Sequence, residues 1–302
     1  MRFKRLDLNL LIALDAMLRE RNISRAAERL HLSQSAMSNA LARLREYFDD
    51  QLLVQVGRHM EPTPRAQALA DAVRDVLVRV DTTIAIQPGF IPAESNRVFR
   101  LLVSEYTTTV LIPTLLALVW QESKSIGFEL LPQSRDPGRL LADGEADILI
   151  MPQAYLGTEH PNEPLYEDDY VCVVWTGNTA IGETLSRDDY LAAAHVVAHM
   201  GPNKNSVFED WFLKNHGATR NIQVIAPTLA APCRLVVGTD RIATIQRRLA
   251  CEAVKSLPLR ILPTPFEVPR MVQSMQWHKY RAQDPGIVWL RERLLDAARQ
   301  IG

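Results

Sequence analysis

"RAAERLHLSQSAMSNALARLR", residues 25–45, begins and ends on arginine and holds two helical patterns separated by a short break at His31-Leu32. Ala26 and Ala27 are small, as two helices crossing steeply at a tight turn require. Ser33 is placed to cap a following helix over 34–47 by accepting a hydrogen bond from a free backbone N–H. That spacing puts Ala36, Met37, Leu41 and Leu44 on an inner face. Ser33, Gln34, Ser35, Ser38, Asn39 and Arg43 fall at the helix start and on its other face. These short donors and acceptors suit base edges and phosphates when such a helix lies in a major groove. A polar helix facing only solvent has the same composition, so the stretch alone leaves both readings open.

Upstream, Leu8, Leu11, Ile12, Leu14 and Leu18 recur at helical spacing and predict a helix over 7–20. Asn22 ends it, and Ser24 is placed to cap a short helix over 24–30. Three helices with a break at 31–33 make a helix-turn-helix. The opening "MRFKRLDLNLLIALDAML" sets basic residues before an apolar run, as a signal peptide does. Asp7, Asn9 and Asp15 interrupt it and no small-residue cleavage site follows, so it reads as an amphipathic helix. No stretch approaches ~18 unbroken apolar residues, so no membrane span is expected.

Downstream, Leu53-Val54-Gln55-Val56 is strand-like, Gly57-Arg58 turns and Met60-Glu61 returns, a two-stranded wing. Arg58, with His59, sits at its tip within reach of a phosphate or minor groove. Pro64 is a common first helical residue. From there Ala66, Leu69, Val73, Val76, Val80 and Thr83 step by threes and fours. Such a seam pairs a helix with its copy in another chain, although packing within its own chain satisfies the same pattern. "QPGFIPAES" at 87–95 breaks the helix and reads as a hinge.

Charge follows this division. Residues 1–60 carry ten lysines and arginines against seven acids, while the whole chain of 302 residues has net charge −1. The excess is therefore +3 at the front and −4 over the rest, a small bias toward a phosphate-facing N-terminal module. Three cysteines (Cys172, Cys233, Cys251) with no C-x-x-C pair fit a reducing, cytoplasmic setting.

Beyond the hinge, strand and helix patterns alternate. Strands are predicted at 97–106, 126–133, 147–152, 169–175, 194–199, 221–226, 240–245 and 270–280. Helices are predicted at 108–123, 136–146, 205–217, 232–239 and 284–300. This is an α/β pattern expected to form a mostly parallel sheet, split into two subdomains with a ligand cleft between them.

With "AAERLHLSQSAMSNALARLREYF", the wing ending "EPTP", and a body holding "FRLLVSEY", "ADILIMP", "YVCVVW" and "RIATIQRRLA", the chain resembles the LysR-type transcriptional regulators over essentially its whole length. Within them it is most similar to the NodD- and NahR-like group of nodulation and aromatic-degradation regulators. The resemblance implies an α/β protein overall: a winged helix-turn-helix and linker helix, then a periplasmic-binding-protein-like effector domain of two α/β subdomains. The expected boundaries are 1–63 for the DNA-binding domain, 64–87 for a dimerising linker helix, 88–96 for the hinge and 97–302 for the effector domain. Subdomain I covers about 97–167 and 271–302, and subdomain II about 168–270. Implied partners are double-stranded promoter DNA, a small aromatic effector and self, as a dimer through the linker helix and a homotetramer. RNA polymerase is a further possible contact, and no cofactor is implied. Two departures stand out. Ser35 replaces the proline usual after "SQ", and His31 occupies a turn position where glycine is common.

The resemblance places effector contacts on loops between the subdomains. Ser104 is the first candidate, since its hydroxyl and nearby N–H groups can meet an anion or phenolate; a simple helix cap explains it equally. Arg248 matches an arginine that salicylate-type regulators place in the pocket, where it would pair with a carboxylate. A surface arginine remains the alternative. Asp169 and Thr228 align with pocket histidines of those regulators. Their replacement favours a neutral phenol or hydroquinone, with Asp169 accepting its O–H. Thr107, Met151 with Pro152, and Phe208 complete the expected wall. "HVVAH" (195–199) lacks the glutamate of a metal-binding helix, and "GPNKNS" (201–206) lacks the second glycine of a phosphate loop, so no metal site is expected. The expected function is a regulator, not an enzyme, that activates aromatic-catabolism genes in response to a phenolic inducer. The alternative is a small-molecule binding protein or enzyme carrying an N-terminal oligomerisation module.

Overall fold

The computed structural model describes residues 6–57, 59–84, 89–132, 136–199, 207–216 and 220–302. Outside these lie Arg2, Lys4, Arg5, the wing-tip Arg58, the end of the expected linker helix and start of the hinge at 85–88, and the whole of 201–206. The chain forms two compact units divided between residues 86 and 87.

In the first unit, Asp7 caps helix α1 (Leu8–Glu20) by accepting from the Asn9 N–H. Helix α2 (Ile23–Arg29) starts one residue before its expected position. Asn22, in extended backbone, caps it through the Arg25 N–H at 3.0 Å, and Ser24 is exposed within the first turn. The break holds His31 at φ +54°, a left-handed conformation that a non-glycine residue adopts at some cost. Leu32 N–H donates to the Ala27 carbonyl and closes the turn. Helix α3 (Gln34–Phe48) is capped by Ser33, which accepts from Ala36 N–H. Met37, Leu41 and Leu44 are buried against Leu14, Met17, Ala26 and Ala27 in one core. Ala36, expected inside, is exposed; it lies one position round from Met37, on the helix face that carries Ser35 and Asn39.

Strands β1 (Leu53–Val56) and β2 (His59–Pro62) pair antiparallel as the wing, with Gly57 at φ +62° in its turn. The Arg45 guanidinium fastens the wing to α3, donating to the carbonyls of Gln51 and Leu53 at 2.8 Å each. At the wing's base the Asp50 carboxylate accepts from Thr63 hydroxyl and Leu52 N–H, and these bonds lower its pKa. Thr63 in turn caps helix α4 (Pro64–Ile84) through Ala66 N–H. The apolar stripe on α4 divides. Ala66, Leu69 and Val73 pack into the unit's own core, whereas Val76 (44% exposed) and Thr83 face outward. Arg74, 5% exposed, reaches back from α4 to Asp15 on α1 at 3.1 Å, and Asp15 also holds Arg19 at 2.8 Å.

The second unit contains two five-stranded sheets. The first combines β3 (Val98–Val103), β4 (Gly127–Pro132), β5 (Ile148–Pro152), β6 (Asn162–Asp168) and β12 (Met271–Trp277), in the order β4-β3-β5-β12-β6. Helices α5 (Glu105–Val110), α6 (Ile112–Glu122), α7 (Pro137–Ala142) and α12 (Pro285–Gln300) accompany it. The second combines β7 (Tyr170–Trp175), β8 (Ala194–Ala198), β9 (Asn221–Ala226), β10 (Ile242–Gln246) and β11 (Leu259–Pro263), in the order β11-β7-β10-β8-β9. Its helices are α8 (Arg187–Ala192), α9 (Val207–His216), α10 (Ala231–Leu235) and α11 (Arg247–Ala253).

Three features differ from expectation. Strands β6 and β11 and helix α8 come from stretches without a marked pattern. The first predicted strand stops at Val103, because Ser104 turns the chain into α5. The sheets are mixed, not mostly parallel: β7 and β12 run antiparallel to both of their neighbours. The chain crosses between sheets once at Asp168–Tyr170 and returns through 264–270, and a strand entering from the opposite sheet runs against the βαβ direction.

His195 shows what burial does inside the second sheet. Its ring nitrogen Nε2 donates to the Tyr190 carbonyl at 2.8 Å, the residue is fully buried, and burial holds its pKa down at about 4. A histidine depressed from 6.5 binds its proton more readily in the unfolded chain. Stability is therefore intact above pH 6.5 and lost as pH falls toward 4, by up to ~3 kcal/mol. Denaturant midpoints measured across pH 7.5–4 are expected to fall for the wild type, and to fall less across this window for His195→Gln.

Candidate nucleic-acid interface and ligand cleft

The exposed face of α3 is built by subtraction. Once Met37, Leu41 and Leu44 are buried, the helix period leaves Gln34, Ser35, Ser38, Asn39 and Arg43 exposed along the opposite side. Gln34, Ser38, Asn39 and Arg43 make no side-chain hydrogen bond or ion pair among the described residues. Ser33 and Ser35 differ: Ser33 Oγ caps the helix and lies 3.0 Å from Ser35 Oγ. The arginines of α2 are turned aside, with Arg25 donating to the Glu20 carbonyl at 2.7 Å and Arg29 paired with the Glu20 carboxylate at 3.1 Å. Arg43 is thus the cation that α3 presents without a partner. Arg58 lies outside the described residues, while His59 at the wing is exposed.

In the second unit the carboxyl ends of the parallel strands face the two crossings. Val103 and Pro152 end β3 and β5 beside the point where Asp168 pairs with Met271. Ala198 and Ala226 end β8 and β9, and Gln246 ends β10 opposite Tyr170. Open α/β sheets bind ligands at such edges. Among the described residues, side-chain contacts bridge the sheets' elements there. The Glu105 carboxylate accepts from Ala230 N–H at 3.0 Å, and Tyr155 hydroxyl donates to Asp210 at 2.9 Å.

Ser104, Thr107, Met151, Phe208 and Thr228 sit on the elements and loops that border this cleft. Ser104 Oγ caps α5 by accepting from Thr107 N–H and lies 3.1 Å from Thr107 Oγ1. Thr107 is fully buried and accepts from Gln273 Nε2 of β12 at 2.9 Å. Gln273 Oε1 is buried without a partner. Met151 is 6% exposed beside Pro152, Phe208 is buried among Tyr170, Trp211 and Phe212, and Thr228 is exposed in the loop after β9. Gln273 is the residue that sequence reasoning missed. Its signal was the polar residues Gln273, Ser274 and Gln276 interrupting a strand that begins on Met271-Val272 and ends on Trp277.

Asp169 and Arg248 line a second cleft of about 470 Å³, together with Arg247, Cys251, Arg270 and Gly302. Asp169 is held by Arg270 at 3.0 Å and Arg247 at 3.7 Å. The Arg248 guanidinium donates to the Ile301 and Glu167 carbonyls. Nearby, Tyr106 hydroxyl donates to the Asp168 carboxylate at 2.7 Å, and burial raises that carboxylate's pKa.

Comparison with known proteins bears on both regions. Residues 8–67 match the bacterial regulatory helix-turn-helix protein, lysR family, and residues 92–299 match the LysR substrate binding domain. Nodulation protein D 1 of Sinorhizobium fredii is 41% identical over 302 residues, covering 100% of this chain and 94% of that protein. The crystal structure of a probable transcriptional regulator from Pseudomonas aeruginosa is 30% identical, with a TM-score of 0.65 over 96% of this chain and 97% of that one. Full-length CbnR in complex with its target DNA shares the fold at 15% identity, with a TM-score of 0.59 over 98% of this chain and 100% of that one.

Proposed function

This chain belongs to the LysR family of bacterial helix-turn-helix transcriptional regulators, and from that premise we propose how it reads DNA and what it senses. Helix α3 enters the major groove of promoter DNA, with Gln34, Ser38 and Asn39 on base edges and Arg43 on phosphate. Ser33 and Ser35 shape the helix start, and Arg58 of the wing adds a phosphate contact. The exposed, partner-free side chains of α3 carry this reading. The outward part of the α4 stripe, Val76 and Thr83, pairs with a second copy, and dimers assemble into tetramers. CbnR, solved on its target DNA, supports the mode of binding.

The cleft bordered by Ser104, Thr107, Met151, Phe208 and Thr228 receives a small aromatic effector that shifts the balance between two arrangements of the subdomains. The protein then activates genes that act on that compound. Asp169 and Arg248, tied to partners in the second cleft, hold the crossing and do not touch the effector. The reading as an enzyme with an oligomerisation module is set aside, because residues 8–67 match a DNA-binding family.

A mobility shift on the intergenic DNA beside its own gene tests this reading. Retention that falls steeply between 50 and 200 mM salt is expected; no retention at low salt defeats it. Arg43→Ala should weaken binding on every sequence and lower the salt slope by about one. Ser38→Ala should leave that slope unchanged and relax base preference at its contact.

A further inference from the structure

We propose that Gln273 selects an uncharged ligand hydroxyl in the cleft, by accepting its proton at Oε1 while Ser104 donates to the same ligand. The proposal rests on the reading of this cleft as the effector site. The hydrogen-bond chain assigns each proton. Gln273 Nε2 donates to Thr107 Oγ1 at 2.9 Å, so the threonine's own proton is free to pass to Ser104 Oγ at 3.1 Å. Ser104 Oγ already accepts from Thr107 N–H. It is then filled as an acceptor, and its own O–H is left to donate outward.

Gln273 ends this chain at the other side. Its relative exposure is 0%, and while Nε2 is satisfied by Thr107, Oε1 has no hydrogen-bond donor among the described residues. An unsatisfied buried acceptor costs free energy that a donor recovers. Gln273 lies opposite Pro152, where β5 ends at the cleft edge, and opposite Tyr166 of β6. The site thus offers one donor and one unfilled acceptor. A phenolic hydroxyl satisfies both, since it donates and accepts at once. A carboxylate would set its negative oxygen against Gln273 Oε1. It would also find no cation among Ser104, Thr107, Met151, Phe208, Thr228 and Gln273.

The test is equilibrium binding by the full-length protein of three probes, 4-ethylphenol, 4-ethylanisole and benzoate. Wild type should bind the phenol about tenfold or more tightly than the methyl-capped anisole, which keeps the oxygen as an acceptor but has no donor and one more methyl; benzoate should bind weakest. Gln273→Leu should bring phenol and anisole to within about twofold, and Gln273→Glu, which keeps an acceptor, should restore the preference. Cooperative thermal unfolding of both variants checks that they fold. Equal wild-type affinity for phenol and anisole overturns the proposal without recourse to variants, as does benzoate binding tightest or a preference that survives Gln273→Leu. In each of those cases an aromatic still binds, so the effector reading stands. Failure of wild type to bind any of the three overturns both.

Discussion

Arg220→Met is expected to destabilise the second unit by about 3–5 kcal/mol, the usual effect of leaving a buried charge without its partner. The Arg220 and Glu209 side chains are 3% and 7% exposed and hydrogen-bonded to each other. The guanidinium also donates to Tyr190 hydroxyl at 2.9 Å and lies over the rings of Phe212 and Phe208, 4.4 Å and 5.4 Å from their centroids. Burial raises the Glu209 pKa, and the Arg220 charge opposes that rise only in part. Loss of the arginine removes the charge that opposes this rise, which favours protonation of the carboxyl group or a shift of α9. Because α9 carries Phe208 and also Asp210, which holds Tyr155 across the cleft, the same change should weaken effector binding. All five tryptophans lie between residues 120 and 289, so tryptophan fluorescence during urea unfolding reads the second unit alone. The double variant Arg220→Met, Glu209→Leu should recover most of the loss, since apolar residues of similar volume often replace a buried pair without penalty. A single variant as stable as wild type would show that the pair contributes nothing.

Asp15→Leu should destabilise the first unit by about 3 kcal/mol and weaken promoter binding with it. Asp15 receives Arg74 from α4 and Arg19 from its own helix, with 6% of the Arg74 side chain exposed. Removing the carboxylate takes a buried acidic partner from Arg74, whereas its ion pair with Asp71, 3.5 Å away and 96% exposed, lies in solvent. The Asp15–Arg74 bond fixes the direction in which α4 leaves the helix-turn-helix core. In a dimer joined through α4, that direction sets the spacing of two reading helices on DNA. Hydrogen exchange at the α1 and α3 amides reads the stability, and mobility shifts on operators with half-site spacing varied by one or two base pairs read the geometry. The variant should lose its preference among spacings. Full protection with an unchanged spacing preference would remove Asp15 from both roles.

Much of the N-terminal unit was legible in residues 7–64 because its signals are local. Ser33 caps α3 from three residues away, Pro64 opens α4 and Gly57 makes the wing turn. Asn22 and Ser24 compete as caps two residues apart, and composition alone does not rank them. In the second unit β6, β11 and α8 escaped notice, since their alternation is weak and their pairing partners lie far along the chain. Ser104 was found through its place after a strand. Gln273 was not, because the partner of its side chain, Thr107, lies 166 residues earlier. Arg248 was read as a ligand contact from its match to a pocket arginine of salicylate-type regulators; in the fold its guanidinium donates to the backbone carbonyls of Ile301 and Glu167.

The amino-acid order by itself determined where α1, α3 and α4 begin, which face of α3 is polar and that the body alternates strand with helix. Each of those depends on neighbours within about five residues, through caps and periodicity. Tertiary structure alone decided that Arg74 meets Asp15, that Arg220 meets Glu209, and that Gln273 meets Thr107 while its own oxygen stays unfilled. The fate of a buried polar group depends on what the fold brings to it from elsewhere in the chain, and sequence spacing carries no information about that distance.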